Sequence, residues 1–258
     1  MKVRDKDSYL SEIYSGIQGE GPLLGIRQIF LRFCSCDLRC GWCDTPKSLV
    51  KTENCLIEEI MGKRLFKQVK NPISITNLLE YIKDLNPHKH HSFSLTGGEP
   101  LLQARFLVDF IPVLKEQYLL PVYLETGGHR PYELDEIIKY VDYISMDIKL
   151  PSSSNTGVLW EKHEKFLEVS LSCNTVKKIW VKIVVTENTF ISEIEKATQL
   201  VKSIDKTGSV EILLQPVSKI NNIFPPDELS LLEMQEKILN IYPLVRVIPQ
   251  VHVLMGQR

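Results

Sequence analysis

IRQIFLRFCSCDLRCGWCDTP, residues 26–46, runs an apolar segment straight into four of the chain's six cysteines. Its first eight residues read as a strand bounded by the cysteine-rich turn. Cysteines this close together are a disulfide knot, a zinc knuckle, or ligands of something that takes a further ligand from elsewhere. The N-terminal stretch MKVRDKDSYLSEIY is charged and polar, unlike a signal peptide. That predicts a cytoplasmic, reducing compartment, where clustered cysteines bind metal or do redox chemistry more often than they form disulfides.

Outward from this stretch, short β-rich runs alternate with helix-period segments. Strands are expected at HSFSL (91–95), VYLET (122–126), DYISMDIK (142–149), KKIWVKIVV (177–185), VEILLQP (210–216) and VRVIPQ (245–250). Helices are expected over 74–86, with Ser74 as N-cap, over 104–118 with a proline inside, and over 133–140, 158–171, 191–205 and 226–241. Such alternation implies a parallel sheet of right-handed βαβ units. About seven strands suit an α/β fold in the form of an incomplete (β/α) barrel of parallel strands rather than a closed eightfold one. The expected organisation is a single domain over 1–258. An insertion at 50–73 fits the rhythm least and reads as a solvated segment with one irregular helix, or alternatively as a lid. PSSSNTG (151–157) reads as a loose stretch.

The 31 basic and 32 acidic residues nearly cancel, which gives no electrostatic case for binding nucleic acid. No apolar run reaches the roughly 20 residues of a membrane span.

Counted from Cys36, the spacing is C-x3-C-x2-C: Cys36, Cys40, Cys43. A structural zinc ion needs four ligands, and Cys34 is separated from Cys36 by one residue, an awkward reach for a tetrahedral site. Three thiolates suffice for a [4Fe–4S] cluster with one iron left open, which a small chelating molecule can use. Cys34 then becomes a small buried residue at a strand end, and Cys55 and Cys173 are core or surface thiols by default. TGGEP (96–100) and ETGG (125–128) follow strands and are turns by default.

The cysteine spacing, with the aromatic Trp42 before the last cysteine, resembles the radical S-adenosylmethionine (SAM) superfamily, as does the GGEP stretch. The resemblance implies that Cys36, Cys40 and Cys43 hold a [4Fe–4S] cluster whose open iron takes the amino and carboxylate groups of SAM. It gives Gly97, Gly98 and Glu99 the SAM ammonium, and Glu125 with Thr126 the ribose or methionyl part. Ser145, Asp147, Lys149 and Gln215 end later strands in the same manner, although any parallel barrel ends its strands with polar residues. Q-G-E-G, then arginine, the cysteines, C-D-T and the ending QVHVLMGQR narrow the resemblance to the 7-carboxy-7-deazaguanine synthase family. It runs from about Tyr14 to His252 and departs around 50–73 and 151–175.

That family converts 6-carboxy-5,6,7,8-tetrahydropterin to 7-carboxy-7-deazaguanine on the way to deazaguanine nucleosides of tRNA. The resemblance implies hydrogen abstraction at C6 of the pterin by a 5′-deoxyadenosyl radical, ring contraction, loss of ammonia and regeneration of SAM. It assigns the pterin to Gln18, Glu20, Arg27, Gln250 and His252. Gln and Glu offer a mixed donor and acceptor set for the ring edge, Arg27 a fork for a carboxylate, and His252 a proton. Thr45 matches the position of a Mg²⁺ ligand, an ion that also binds through substrate oxygens and water. The implied partners are an electron donor such as flavodoxin or ferredoxin and a second copy in a homodimer. Two readings compete: a glycyl-radical activase, which has no use for Q-G-E-G or the His252 tail, and a zinc-bearing interaction protein, which leaves GGEP and ETGG unexplained.

Overall fold

Val122 and Leu124 of VYLET belong to the apolar core and alternate with Tyr123 and Glu125, and neighbouring strands repeat the alternation. The computed structural model describes residues 6–257; the first five residues of the charged N-terminus lie outside them. In chain order the elements are β1 (Asp7–Ser8), β2 (Leu10–Ile17), β3 (Arg27–Phe33), β4 (Asn54–Glu58), β5 (Phe66–Lys70), β6 (Ile73–Ser74), α1 (Ile75–Asp84), β7 (Ser92–Gly97), α2 (Ala104–Tyr118), β8 (Val122–Thr126), α3 (Pro131–Ile137), β9 (Tyr143–Asp147), α4 (Pro151–Ser154), α5 (Trp160–Ser172), β10 (Lys178–Val185), α6 (Ile191–Ile204), β11 (Glu211–Pro216), α7 (Glu228–Leu239), β12 (Val245–Val247) and α8 (Val251–Leu254).

The main sheet has ten strands in the order β12-β11-β10-β9-β8-β7-β3-β2-β4-β5. The seven from β3 to β12 are mutually parallel, as the alternation predicts. β2 is antiparallel to β3, β4 is parallel to β2, and β5 is antiparallel to β4. β1 and β6 form a separate antiparallel pair. The two edges, β12 and β5, do not pair with each other, so the barrel is incomplete.

Ile29, Leu31 and Phe33 of β3, Phe93 and Leu95 of β7, Val122 and Leu124 of β8, and Ile179, Val181 and Ile183 of β10 join the outer core under the helices. Burying each such side chain is worth about 1.5–3 kcal/mol. α1 contributes Ile75, Leu78 and Ile82 at helical spacing, and Ser74 caps it by accepting from the Asn77 N–H. α2 runs unbroken through Pro112; the missing N–H is tolerated because Phe106, Leu107, Phe110, Ile111 and Leu114 are buried. Among the described residues no helix is long and apolar enough to cross a membrane.

Three expectations need correction. Residues 50–73 contain no helix; Asn54–Glu58 and Phe66–Lys70 pair as the β4–β5 hairpin, which extends the sheet. Cys55 and Ile57 alternate into the core, while Lys67 and Lys70 keep the β5 edge charged, which disguised it as a solvated segment. A strand precedes the cysteine-bearing one: β2, antiparallel, which the hydrophobic run at 26–33 overshadowed. PSSS (151–154) closes one helical turn instead of a loose stretch.

Candidate functional site

The other phase of each strand points inward. Gln28, Phe30 and Arg32 of β3, Thr96 of β7, Tyr123 and Glu125 of β8, Ser145 and Asp147 of β9, Trp180 and Lys182 of β10, and Leu213 and Gln215 of β11 alternate with the core residues named above. The lower layer is sealed: Tyr123, Trp180 and Leu213 pack together with Leu23, Tyr143 and Ile248. Leu23 comes from the loop after β2, which crosses the open side of the barrel. Gly21 lies so close to Trp180 that a Cβ would meet its indole nitrogen at 3.1 Å, and its φ of +65° also favours glycine.

Above this floor is a cavity of about 400 Å³. It is lined by Cys36, Cys40, Cys43, Trp42 and Thr45, by Gly97, Gly98 and Glu99, by Glu125 and Thr126, by Ser145, Asp147, Lys149 and Gln215, and by Gln18, Glu20, Gln250 and His252. The strand ends and both loop segments therefore meet at one place. Arg27 does not reach it. It is exposed at the start of β3, in the outward phase, with its guanidinium against Gly62. Arg32, five residues on and in the inward phase, lines the cavity instead; it bonds the Tyr14 hydroxyl at 2.8 Å and pairs with Glu12 at 3.2 Å.

The glycines of GGEP do more than turn. A Cβ on Gly97 would meet the Phe33 carbonyl oxygen at 2.3 Å, and one on Gly98 would meet those of Ser35 and Ser48 at 2.1 and 2.6 Å. Gly97 also has a φ of +122°. The turn is thus pressed backbone to backbone on the cysteine loop, fastened by Gly98 N–H to Phe33 O (2.9 Å) and Glu99 N–H to Ser35 O (2.8 Å). Glu99 is buried and accepts from the Thr126 hydroxyl at 2.8 Å and the Gly127 N–H at 2.8 Å. Burial raises its pKa against the opposing pull of His129.

Cys36, Cys40 and Cys43 are free and half-buried, and Cys34 and Cys55 are fully buried free thiols. Burial pushes the Cys36 thiol up to about 11 and raises Cys40 as well. Thiolates at these positions call for a cationic partner, which iron supplies. Trp42 has a buried indole N–H with no hydrogen-bond partner among the described residues, and Lys149 Nζ lies 4.3 Å from its ring centroid.

Deeper in the cavity, Lys182 is the hub that sequence reasoning missed. Its ammonium is 2.6 Å from Glu20 and 3.4 Å from Asp147, and Asp147 also pairs with Lys149. Burial works against the charge on Lys182, but Asp147, Glu20 and Glu125 outweigh it and raise its pKa well above the ordinary value. Burial likewise pushes Glu20 up, yet Lys182 and its neighbours hold it at about 2. Gln215 and Gln250 each donate to Glu20 Oε1 at 3.1 Å, and Gln250 also donates to Asp44 at 3.1 Å. His252 Nδ1 is 3.8 Å from Glu20, and the ligand atoms of Glu20, Asp44 and His252 lie within 4.8 Å of one another. Gln18 donates to Glu125 at 2.9 Å, which also accepts from Ser94 at 2.9 Å; burial raises the Glu125 pKa. Thr45 Oγ1 is 3.4 Å from Gly97 O.

Comparison with known proteins agrees with this geometry. Residues 31–201 match the radical SAM superfamily. The chain is 40% identical to a 7-carboxy-7-deazaguanine synthase of Geobacter sulfurreducens over 251 residues, covering 96% of this chain and 97% of the relative. It is 34% identical to one of Archaeoglobus fulgidus over 254 residues, with 96% and 98% covered. Among solved structures, QueE from Escherichia coli superposes with a TM-score of 0.62 at 21% identity over 95% of each chain, a likeness of fold.

Proposed function

The chain belongs to the radical SAM superfamily and, within it, to the 7-carboxy-7-deazaguanine synthases, and from that premise we propose that it converts 6-carboxy-5,6,7,8-tetrahydropterin to 7-carboxy-7-deazaguanine with ring contraction and loss of ammonia. It is a radical SAM lyase of deazapurine biosynthesis. The observation that carries the reading is the meeting of the three cysteines, the GGEP and ETGG strand ends, the Q-G-E-G loop and the C-terminal segment around one cavity.

Cys36, Cys40 and Cys43 would hold the cluster, and Gly97, Gly98, Glu99, Thr126, Ser145 and Lys149 would surround SAM. Bound there, the reduced cluster and SAM supply a 5′-deoxyadenosyl radical. The chain's own task is to bind and orient the pterin and to exclude water. Gln18 and Glu125 would read its donor–acceptor edge from the barrel interior. Glu20, kept ionised by Lys182, would accept from ring N–H groups, with Gln215 and Gln250 fixing its carboxylate. Arg32, in place of Arg27, would meet the substrate carboxylate from the cavity wall. His252, beside Glu20, would donate a hydrogen bond or a proton near the leaving nitrogen. A Mg²⁺ ion would take the Thr45 hydroxyl and a substrate carboxylate oxygen, with the Asp44 carboxylate close by.

Residues 1–258 would form a single domain, since strands outside the matched 31–201 complete the same sheet. A homodimer is proposed from family membership alone. A flavodoxin or ferredoxin as electron donor, a cytoplasmic setting and delivery of the product to tRNA queuosine or its relatives follow from family membership.

The test is an anaerobic assay of reconstituted protein with SAM, Mg²⁺, reductant and the tetrahydropterin, read by mass spectrometry. A product lighter by one ammonia, with SAM not consumed in proportion, is expected. Free 5′-deoxyadenosine without that product would keep the superfamily chemistry and overturn the substrate.

A further inference from the structure

We propose that His129 is a positioning residue that locks the Cys36–Cys40 segment in register with Glu99. His129 follows the ETGG strand end, and its side chain is 2% exposed. Nε2 is 2.9 Å from the Asp37 carboxylate, so that nitrogen carries the proton and donates. Arg130 Nη2 donates to the other Asp37 oxygen at 3.1 Å. Nδ1 points the opposite way, buried, with no hydrogen-bond partner among the described residues and 3.9 Å from Glu99 Oε2. His129 therefore ties the cysteine loop, through Asp37, to the segment after β8, whose Gly127 N–H donates to Glu99 Oε2 at 2.8 Å. Gly127 leaves room for it, since a Cβ there would meet Nδ1 at 2.9 Å.

The loop needs such an anchor. Residues 34–45 adopt neither helix nor strand. Backbone bonds hold Cys36, through its N–H to Leu49 O (3.3 Å), and Gly41, through its N–H to Ser154 O (3.1 Å). Between them, the Asp37 carboxylate is fixed from outside the loop by His129 and Arg130. Asp37 directly follows Cys36 in sequence. Its displacement would move the Cys36 sulfur relative to the Glu99 turn, and a ligand held both by a cluster on that sulfur and by that turn would feel the change directly. Residues that orient ligands from behind typically cost 10–100-fold in affinity or activity when removed.

The inference rests on the cluster and SAM reading of the site, which the unsubstituted protein tests by itself. Full-length protein is reconstituted anaerobically as the parent, His129→Ala, His129→Gln, Asp37→Ala and the His129→Ala/Asp37→Ala pair. Iron content, the electron paramagnetic resonance spectrum of the reduced cluster and its change on titration with SAM are read for each. His129→Ala should retain the parent's iron content but need 10–100-fold more SAM for the spectral change. His129→Gln, whose amide can still donate to Asp37, should recover most of the affinity, and the double variant should be no worse than the worse single one. Parent-like SAM titration of His129→Ala, or additive losses in the double variant, would overturn the proposal. If His129→Ala loses iron, His129→Gln decides: parent-like iron and SAM binding support positioning by the donated bond, and equal loss overturns it in favour of a folding role. A parent with no SAM-dependent change would instead sink the cofactor reading, and this inference with it.

Discussion

Acidification should loosen the rim of the cavity through one buried imidazole, His163. It projects from α5 with no exposed surface. The Lys149 N–H donates to Nε2 at 3.1 Å, so Nδ1 must carry the proton, and it donates to Gly128 O at 2.8 Å. One neutral ring thereby ties the loop after β8 to the loop after β9. Protonation would set N–H against N–H, and burial accordingly holds the pKa down to about 4 from 6.5. Unfolded chains bind this proton below pH 6.5 and the folded chain only below about 4. The stability it confers is thus fully present above pH 6.5 and is lost as the pH falls toward 4. At 1.36 kcal/mol per pH unit the whole effect is about 3 kcal/mol, of which about 2 kcal/mol falls between pH 7 and 5. The assay is denaturant unfolding of the parent and His163→Gln at pH 7, 6 and 5. The variant should lose about 1–3 kcal/mol at pH 7 through imperfect pairing of the two backbone groups. It should then show a pH dependence flatter by about 2 kcal/mol, while the carboxylates and the other histidines cancel between the two proteins. Parallel pH profiles would refute the argument.

Cys34→Ala should bind as much iron as the parent after anaerobic reconstitution, because Cys34 is buried with its sulfur beside Thr52, whereas Cys36→Ala should lose the cluster's absorbance. Arg27→Ala should keep turnover within about twofold, and Arg32→Ala should lose 10²-fold or more in kcat/KM, about 2.7 kcal/mol, with SAM binding intact; equal effects would undo the assignment. Gly98→Ala should destabilise by about 1–3 kcal/mol and lower iron occupancy, since its Cβ meets backbone carbonyls that cannot swing aside, and thermal melting with iron analysis would detect both.

The parallel strands were legible because each is an apolar run of the right length between turn signals, and the cavity rim because the cysteines and the GGEP turn carry their spacing with them. The two arginines show where reading by spacing falls short. Arg27 and Arg32 both precede the cysteines, but they are five residues apart on one strand, and an odd separation puts them on opposite faces. Ile29, Leu31 and Phe33 share the phase of Arg27, which marks it as outward; Gln28 shares the phase of Arg32. The same test applied to KIWVKIVV sets Lys182 with Trp180, against Ile179, Val181 and Ile183. A lysine among alternating apolar residues is a candidate for the barrel interior. The β4–β5 hairpin escaped notice for the opposite reason: β4 sends Cys55 and Ile57 to the core and β5 only Val69, and its lysines imitate a solvated helix.

The networks were out of reach of any local reading. Glu20 meets Lys182 across 162 residues and Gln250 across 230, and Asp37 meets His129 across 92. These contacts share a cause in the topology. Because β12 and β5 do not pair, the barrel has an open side, and a polar interior facing it would flood. Two segments without long secondary structure fill that opening. The loop after β2 packs Leu23 on the floor, and the C-terminal segment locks onto it through the Val251 N–H to Gly19 O bond at 3.0 Å. Gly19 must be glycine for this, since a Cβ would lie 2.3 Å from that of His252. The residues proposed to hold the cofactor sit on the strand ends and the cysteine loop. Several proposed to select the substrate, Gln18, Glu20, Gln250 and His252, sit on the pieces that close the barrel. Changes in the closing segments should therefore alter which molecule is bound while leaving the cluster-bearing rim intact.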